Sequence, residues 1–498
     1  MKNISIGINK WLLVSVLSLG LTMTGCNDDF LEKVPLTRVS PETVFATTDN
    51  AYAAINGMHR RLYSQWYSRQ AHGGQSANML YMEVLGEDFV MTANANGWFI
   101  TEYKWLAHRD VNAPMLRDNY GFYYAFIGNA NMIITNIDNA VGPEADKNFL
   151  KAQALTYRAW SYFNLVQLFG KRYVAGGDNS SLGMSLILEP NDTPVPRNTV
   201  EETYAQINAD LDEAIGLFAN AVARPDKSHL NVSVAKGIKA RVALTQQNYA
   251  VAAQMAREAR EGFPLMDNDE YLAGFSDFTT DEWIWGIHHR EDQPTYFYSF
   301  FAYLGSFSST NTRGNPKAIN SLLYEQISDT DVRKQLWDPT GNDPDFPVVD
   351  NGVRMPYMTR KFMLANPGNS NGDLAFMRAG EMYLIEAEAL ASMGQDDSAA
   401  DVLYELAVNR DSEYQRSTNT GDALLAEILV QRRVELWGEG FRWYDLKRLN
   451  LPLNRNGANH VASLAVTFDV PAGDKRWEFL IPQAEINYTL EVVQQNPL

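Results

Sequence analysis

RAGEMYLIEAEALASMGQDDSAADVLYELAVN, residues 378–409, divides into two Ala-rich runs, Arg378 to Met393 and Ser398 to Asn409, joined across a short polar turn that contains Gly394. Small side chains let two helices approach closely, so the stretch predicts an antiparallel helical hairpin. A second pair, Ser233 to about Thr245 and Tyr249 to Glu261, follows the same plan.

Around these hairpins other segments carry a helical period. Ser40-Pro41 supplies a helix start with proline at the first turn, and Asp49 can cap a second helix running to about Trp66. Arg117 to Asn139 is helical in period. Phe149, Ala152, Leu155, Ala159, Tyr162, Phe163 and Val166 recur at steps of three and four, a stripe closed by Gly170 with Lys171 and Arg172 beside it. Thr199-Val200-Glu201-Glu202 is a capping box, and Tyr204, Ile207, Leu211, Ile215 and Phe218 form the stripe of the helix it opens. These are core faces. The hairpins resemble tetratricopeptide units, which bury their apolar faces by stacking into a superhelix.

Between the hairpins the composition changes. From Phe263 to Ala375 the chain is rich in Gly, Pro, Asn, Asp and Ser, with helical period only around Ala318 to Ile327. Trp283, Trp285, Tyr296, Phe297, Tyr298, Phe300, Phe301, Tyr303 and Phe307 give it too much apolar surface for disorder, so a structured, loop-rich platform is expected. Trp283 to Ile287 alternates like a strand and predicts Trp283, Trp285 and Ile287 on one face. The expected fold is mainly α: tetratricopeptide-like helical hairpins forming a superhelical scaffold, with a long loop-rich, aromatic-rich segment and minor β. In chain order this gives a signal peptide over 1–25, an acidic tether over 26–40, scaffold over 41–262, a ligand-facing segment over 263–376, and further scaffold with a tail over 377–498.

Composition narrows the function. Apolar residues make up 45% of 498, which excludes a disordered chain, and the net charge of −18 repels phosphate backbones, so nucleic acid is not an expected partner. Aromatics reach 12%, with 11 Trp and 24 Tyr, consistent with surfaces that stack on ring-shaped ligands.

The N-terminus carries an address. Lys2 and Lys10 precede an apolar run from Trp11 to Met23, too short to span the roughly 30 Å hydrocarbon core of a membrane. It reads as a signal peptide. Leu21-Thr22-Met23-Thr24-Gly25-Cys26 resembles a bacterial lipobox ending on the chain's single cysteine, so Cys26 is the expected site of lipidation. Acyl chains at about 0.8 kcal/mol per buried CH2 anchor a protein without a transmembrane helix. Asn27-Asp28-Asp29 follows, an acidic tripeptide that resembles the export signals of Bacteroidetes surface lipoproteins.

Five segments, in order, resemble the SusD/RagB family of nutrient-binding outer-membrane lipoproteins: Cys26 to Glu32, Lys151 to Gly170, Met382 to Ala389, Gln431 to Arg448, and Phe479 to Ile486. The resemblance implies a lipid-anchored protein of the cell outer membrane, facing the outside. It implies capture of oligosaccharide or polysaccharide for a SusC-like, TonB-dependent barrel transporter, with no enzymatic role. It also implies tetratricopeptide-like helices as scaffold, with the glycan site on the loops between them.

The ligand-binding residues must come from chemistry. Sugars offer apolar C–H faces that stack on aromatics and hydroxyls that need paired donors and acceptors. Asn94-Ala95-Asn96-Gly97-Trp98 places an indole beside two amides in a loop-like run, and Trp98 with Asn94 and Asn96 is the leading candidate. Asp292 to Tyr298 adds Tyr296 and Tyr298, and Trp283 stands upstream of them. Trp66-Tyr67 is a third candidate. The alternative for Trp98 and for the Asp292 to Tyr298 aromatics is core packing, since buried aromatics are common.

Other chemistry is thin. Arg432 to Arg448 sets Glu435, Glu439 and Asp445 three or four residues from arginines, the pattern of helix-surface pairing or an ion network and not of an active site. His288 and His289 are adjacent, so on a strand they point to opposite faces and do not readily share a metal. Asp338, Asn342, Asp343 and Asp345 could hold a structural calcium, although the EF-hand order is missing and a solvated turn explains them as well. No cofactor motif is present. The alternatives to glycan capture are a surface glycoside hydrolase, whose paired carboxylates meet in space and not in sequence, and a peptide-binding nutrient receptor.

Overall fold

The computed structural model describes residues 40–498 apart from 291, 293–294, 296–297, 306–313, 349 and 365–369. Cys26, the signal peptide and the tether up to residue 39 lie outside the described residues, as does Tyr296.

The longer helices are α1 (Thr48–Arg61), α2 (Gln75–Val84), α3 (Pro114–Asn136), α4 (Glu144–Phe169), α5 (Val200–Phe218), α6 (Val232–Thr245), α7 (Tyr249–Ala259), α8 (Ala379–Ser392), α9 (Asp396–Arg410), α10 (Gly421–Glu435) and α11 (Arg442–Arg448). From α3 to α10 each packs on the next in line, the one-dimensional stacking expected of tetratricopeptide-like hairpins. The expected hairpins are α6–α7 and α8–α9. Gly394, with φ +71°, makes the turn of the second.

Local chemistry accounts for the helix starts. Thr199 Oγ1 accepts from the Glu202 backbone N–H at 3.1 Å while the Glu202 carboxylate accepts from Thr199 N at 2.8 Å, the reciprocal box that opens α5. Thr47, and not Asp49, caps α1, its hydroxyl accepting from Asn50 N at 3.2 Å. That helix stops at Arg61, short of Trp66, because the chain turns back there: Gln75 N donates to Leu62 O at 2.8 Å, and Tyr67 and Ser68 sit in the left-handed region at φ +53° and +54°.

Helices α7 and α8 touch although 119 residues separate Ala259 from Ala379 in number, so the loop-rich segment is an excursion from one packed pair. Strand β2 (Trp283–Ile287) and β6 (Leu374–Arg378) close its base as an antiparallel pair. Its outer part joins β1 (Phe89–Met91) in a four-stranded antiparallel sheet with β3 (Lys317–Ile319), β5 (Met358–Thr359) and β4 (Trp337–Asp338), in the order β1-β3-β5-β4. The helical period read over Ala318 to Ile327 is thus strand and then a single turn, Ser321–Tyr324, because β3 is held between β1 and β5 before Asn320 caps the turn. The alternation of β2 is also replaced: all five residues are buried, and bulges put Trp283 opposite Arg378 and Trp285 opposite Met377. One hydrophobic cluster runs through scaffold and excursion alike.

Among the described residues no helix is long and apolar enough to cross a membrane.

Candidate functional site

The three aromatic segments singled out in the sequence meet. Tyr303, fully buried in the helical turn Phe300–Leu304, stands edge-on to Trp98 with ring centroids 5.7 Å apart, and its hydroxyl donates to the carbonyl of Gln70 at 2.7 Å. Gln70 belongs to the return loop that carries Trp66 and Tyr67. Gly73 of that loop lies against the Tyr298 carbonyl, so closely that an added Cβ would come within 1.7 Å of it. These contacts set the loops that carry Tyr67, Trp98 and Tyr298 side by side in one region of the molecule.

Within it the candidates differ in what they offer. Asn94 and Asn96 are exposed and Trp98 is half-buried, on a turn in which Gly97 N donates to Asn94 O at 2.7 Å. Tyr67 is 42% exposed, whereas Trp66 is buried beneath it, its indole N–H donating to Arg61 O at 3.1 Å. Tyr298 is half-buried. Trp283 is fully buried in β2, packed where the excursion returns to the scaffold, and has no face for a ligand. The nearby side chains missed by the sequence reading are Tyr63 and a group of arginines. Arg60 lies 4.4 Å over Tyr63, Arg61 4.5 Å over Trp66, and Arg117 4.3 Å over Tyr67. Interleaved Arg and aromatics from Arg60 to Arg69 were the signal for the first two.

Asp118 lies under these rings, fully buried, and pairs with Arg69 and Arg117. Burial pushes its carboxyl up to about 6 against the pull of those two guanidinium groups. Burial likewise raises the Tyr63 and Tyr67 hydroxyls.

The charged segment Arg432 to Arg448 is buried network, not helix-surface pairing. Glu435 takes Arg378 at 2.6 Å, Arg333 at 3.0 Å and Arg410 at 3.2 Å; Glu282 takes Arg378 and Arg410; and Glu439 takes Arg378 and Lys361. With Asp331 on Arg333 the cluster balances four cations against four carboxylates, and it fastens the excursion to α9 and α10. Arg432 and Arg448 share Asp445, Arg433 reaches Asp88, and Arg442 pairs with Glu87.

The remaining features are internal. A cavity of about 80 Å³ lies between α4, α6 and α11, but its arginines are committed, Arg241 to Glu381, Arg432 to Asp445 and Arg448 to Glu388, and it is smaller than the roughly 300–1,000 Å³ of ligand pockets. Wider hollows of about 420 and 380 Å³ open beside Tyr414 and Trp477, away from the candidates. His288 pairs with Asp373 at 3.0 Å while His289 packs on Tyr63, so the two rings part as expected. In the loop considered for calcium, Asp338 accepts from the Thr340 hydroxyl and from the backbone N–H groups of Thr340 and Asp343, and no cluster of three metal-binding side chains occurs among the described residues.

Comparison with known proteins gives a consistent set. A family model described as starch-binding and associating with the outer membrane matches residues 29–244, and the SusD family model matches residues 306–498. SusD-like protein P2 of Formosa agariphila is 27% identical over 490 residues, spanning 88% of this chain and 90% of its own length. A SusD-like carbohydrate-binding protein from Bacteroides vulgatus superposes with a TM-score of 0.78 at 25% identity, covering 90% of this chain and 97% of that one. A laminarin-binding SusD-like protein shares the fold at a TM-score of 0.67 and 20% identity, covering 91% of this chain and all of that one.

Proposed function

Because this chain belongs to the SusD/RagB family, we propose that it is a cell-surface glycan-binding lipoprotein that captures oligosaccharide and passes it to a SusC-like, TonB-dependent transporter in the outer membrane. The observation that carries the reading is that the loops bearing Tyr67, Trp98 and Tyr298 are neighbours, with Asn94 and Asn96 exposed beside Trp98, on a helical array. Stacking rings beside amides suit sugar C–H faces and hydroxyls. Capture without catalysis is supported by the full burial of Asp118, which pairs with Arg69 and Arg117 and offers no surface to a sugar. The carbohydrate-binding and laminarin-binding relatives lend the substrate class.

The lipid anchor on Cys26 is part of the proposal. Cys26→Ala should move the protein from the membrane to the soluble fraction, and a variant that still pellets with membranes after a high-salt wash overturns the anchor. A TonB-dependent barrel should co-purify with the wild-type protein. For the ligand, a glycan array followed by analysis of the bound sugar for shortened products is decisive: saturable binding with intact ligand is expected, and turnover abolished by one carboxylate substitution would favour a glycoside hydrolase instead.

A further inference from the structure

The aromatic face is basic on a chain whose net charge is −18. Arg60 and Arg290 lie in the field of Tyr63, Arg61 and Arg117 in that of Tyr67, and Arg69 beneath them on Asp118. The described carboxylates facing this group are Asp118, which is shared by two arginines, the buried Glu102, and Asp292, which holds Arg290 at 3.2 Å. Among the described residues neither Arg60 nor Arg61 forms an ion pair, and Nη1 of Arg60 is buried without a hydrogen-bond partner.

Two features go against stability alone. Crowded arginines repel, and here the chain spends few of its 60 acidic residues to relieve them. The backbone of Tyr67 and Ser68 is held at positive φ, a conformation that costs non-glycine residues energy and persists where the surroundings impose it. The result is an exposed phenol ring flanked by guanidinium groups. Stacking on the rings fixes each guanidinium plane; Arg61 has no carboxylate partner among the described residues, and Arg117, which gives Nη2 to Asp118 at 3.4 Å, has further N–H groups to donate, the geometry that suits carboxylate and sulfate.

We infer that this face takes an anionic oligosaccharide, one whose sugar units carry carboxylate or sulfate groups, with Arg61 and Arg117 meeting the anion and Tyr67 the adjoining ring. The inference rests on the glycan-binding reading and narrows its ligand. The global charge repels a polyanion, so attraction must be local, within the roughly 8 Å over which charges act at physiological salt.

The test uses the full chain in detergent and titration calorimetry with three size-matched ligands: an oligogalacturonate, a sulfated galactan oligosaccharide and a neutral laminarin oligosaccharide. Binding of at least one charged ligand is expected, weakening roughly tenfold between 0.05 and 0.5 M salt. Which one binds names the anion. The double variant Arg61→Gln with Arg117→Gln, both exposed positions, should lose about tenfold or more in affinity for that ligand while remaining folded, Arg69 keeping its pairing with Asp118. Displacement by inorganic sulfate as effective as by the oligosaccharide overturns the proposal, since the site then reads the ion and not the sugar. Saturable binding of the neutral ligand alone, unaffected by the double variant, also overturns it and leaves glycan capture standing. No binding to any of these or to a glycan array defeats both readings.

Discussion

Trp98 stands perpendicular to Tyr303, at an interplanar angle of 85°, and its indole is only half-buried. The contact fixes the ring without enclosing it. Trp98→Ala should therefore lower glycan affinity by roughly tenfold or more, as truncation of a stacking anchor commonly costs over 1 kcal/mol. Its melting temperature should fall much less than for a fully buried aromatic, whose removal costs about 3–5 kcal/mol. Calorimetry and a thermal melt on the same variant check both halves, and a large stability loss with unchanged affinity would make the ring a core plug.

Gly73 keeps the three loops together. A methyl group there has no room, because the atom it would meet at 1.7 Å is the backbone oxygen of Tyr298, which cannot swing aside as a side chain can. Gly73→Ala should push the Tyr298 segment off the return loop and disturb the Tyr303 to Gln70 hydrogen bond with it. The expected outcome is a loss of glycan affinity comparable to that of Trp98→Ala, although no stacking ring has been removed. Retained affinity would mean that Tyr298 takes no part in the site.

Much of the scaffold was legible because helices announce themselves locally. The capping box at Thr199 and the Ala spacing of α6 to α9 need only neighbours in sequence to be read. Failures came where partners are distant. Ala318 has a helical period, yet its partners are Val90 and Met358. Glu435 looks like a surface residue in its own helix, yet Arg333 and Arg378 lie 102 and 57 positions away. At the site the letters of Asn94 to Trp98 and of Trp66-Tyr67 suggested platforms, but it is Tyr303, reaching both Trp98 and Gln70, that brings the two loops together. Trp283 misled because exposure is decided by the pairing of β2 with β6, which its own flanks do not reveal.

Glu435 anchors the buried charges, and burial opposes its ionisation while Arg410, Arg378 and Arg333 hold its carboxyl well below the usual range. Glu435→Gln keeps the shape and removes the charge, leaving those guanidinium groups in excess inside the protein. Breaking one partner of a buried pair costs about 3–5 kcal/mol, so the melting temperature should drop by several degrees with little change in the ligand face. Adding Arg410→Met restores the balance, since Glu282 keeps Arg378 and Asp331 keeps Arg333, and should recover part of the loss. Strictly additive losses in a double-mutant cycle would show that the cluster is not coupled.

Two buried carboxylates should give opposite pH signatures. Burial works against Asp445, yet Arg432 and Arg448 hold it down to about 2, so its folded pKa lies below the unfolded value of about 3.9. The stability it contributes is present above that value and is lost as pH falls through about 2. Glu83 is the reverse: burial pushes it up to about 7, against the Gly440 and Phe441 backbone N–H groups that donate to its Oε1 at 2.7 and 3.0 Å. Its contribution is present below the unfolded value of about 4.3 and is lost as pH rises through about 7. The neutral histidines His72, His108 and His460, each held near 3 by burial, raise stability with pH up to about 6.5 and mask the Glu83 effect in the wild-type curve alone. The informative quantity is the difference in melting temperature between Glu83→Gln and wild type. A Gln carbonyl can still accept from Gly440 and Phe441 but carries no charge, so the difference should move in the variant's favour from pH 5 to 7.5 and level off above. A difference that stays flat across that window means Glu83 does not titrate there.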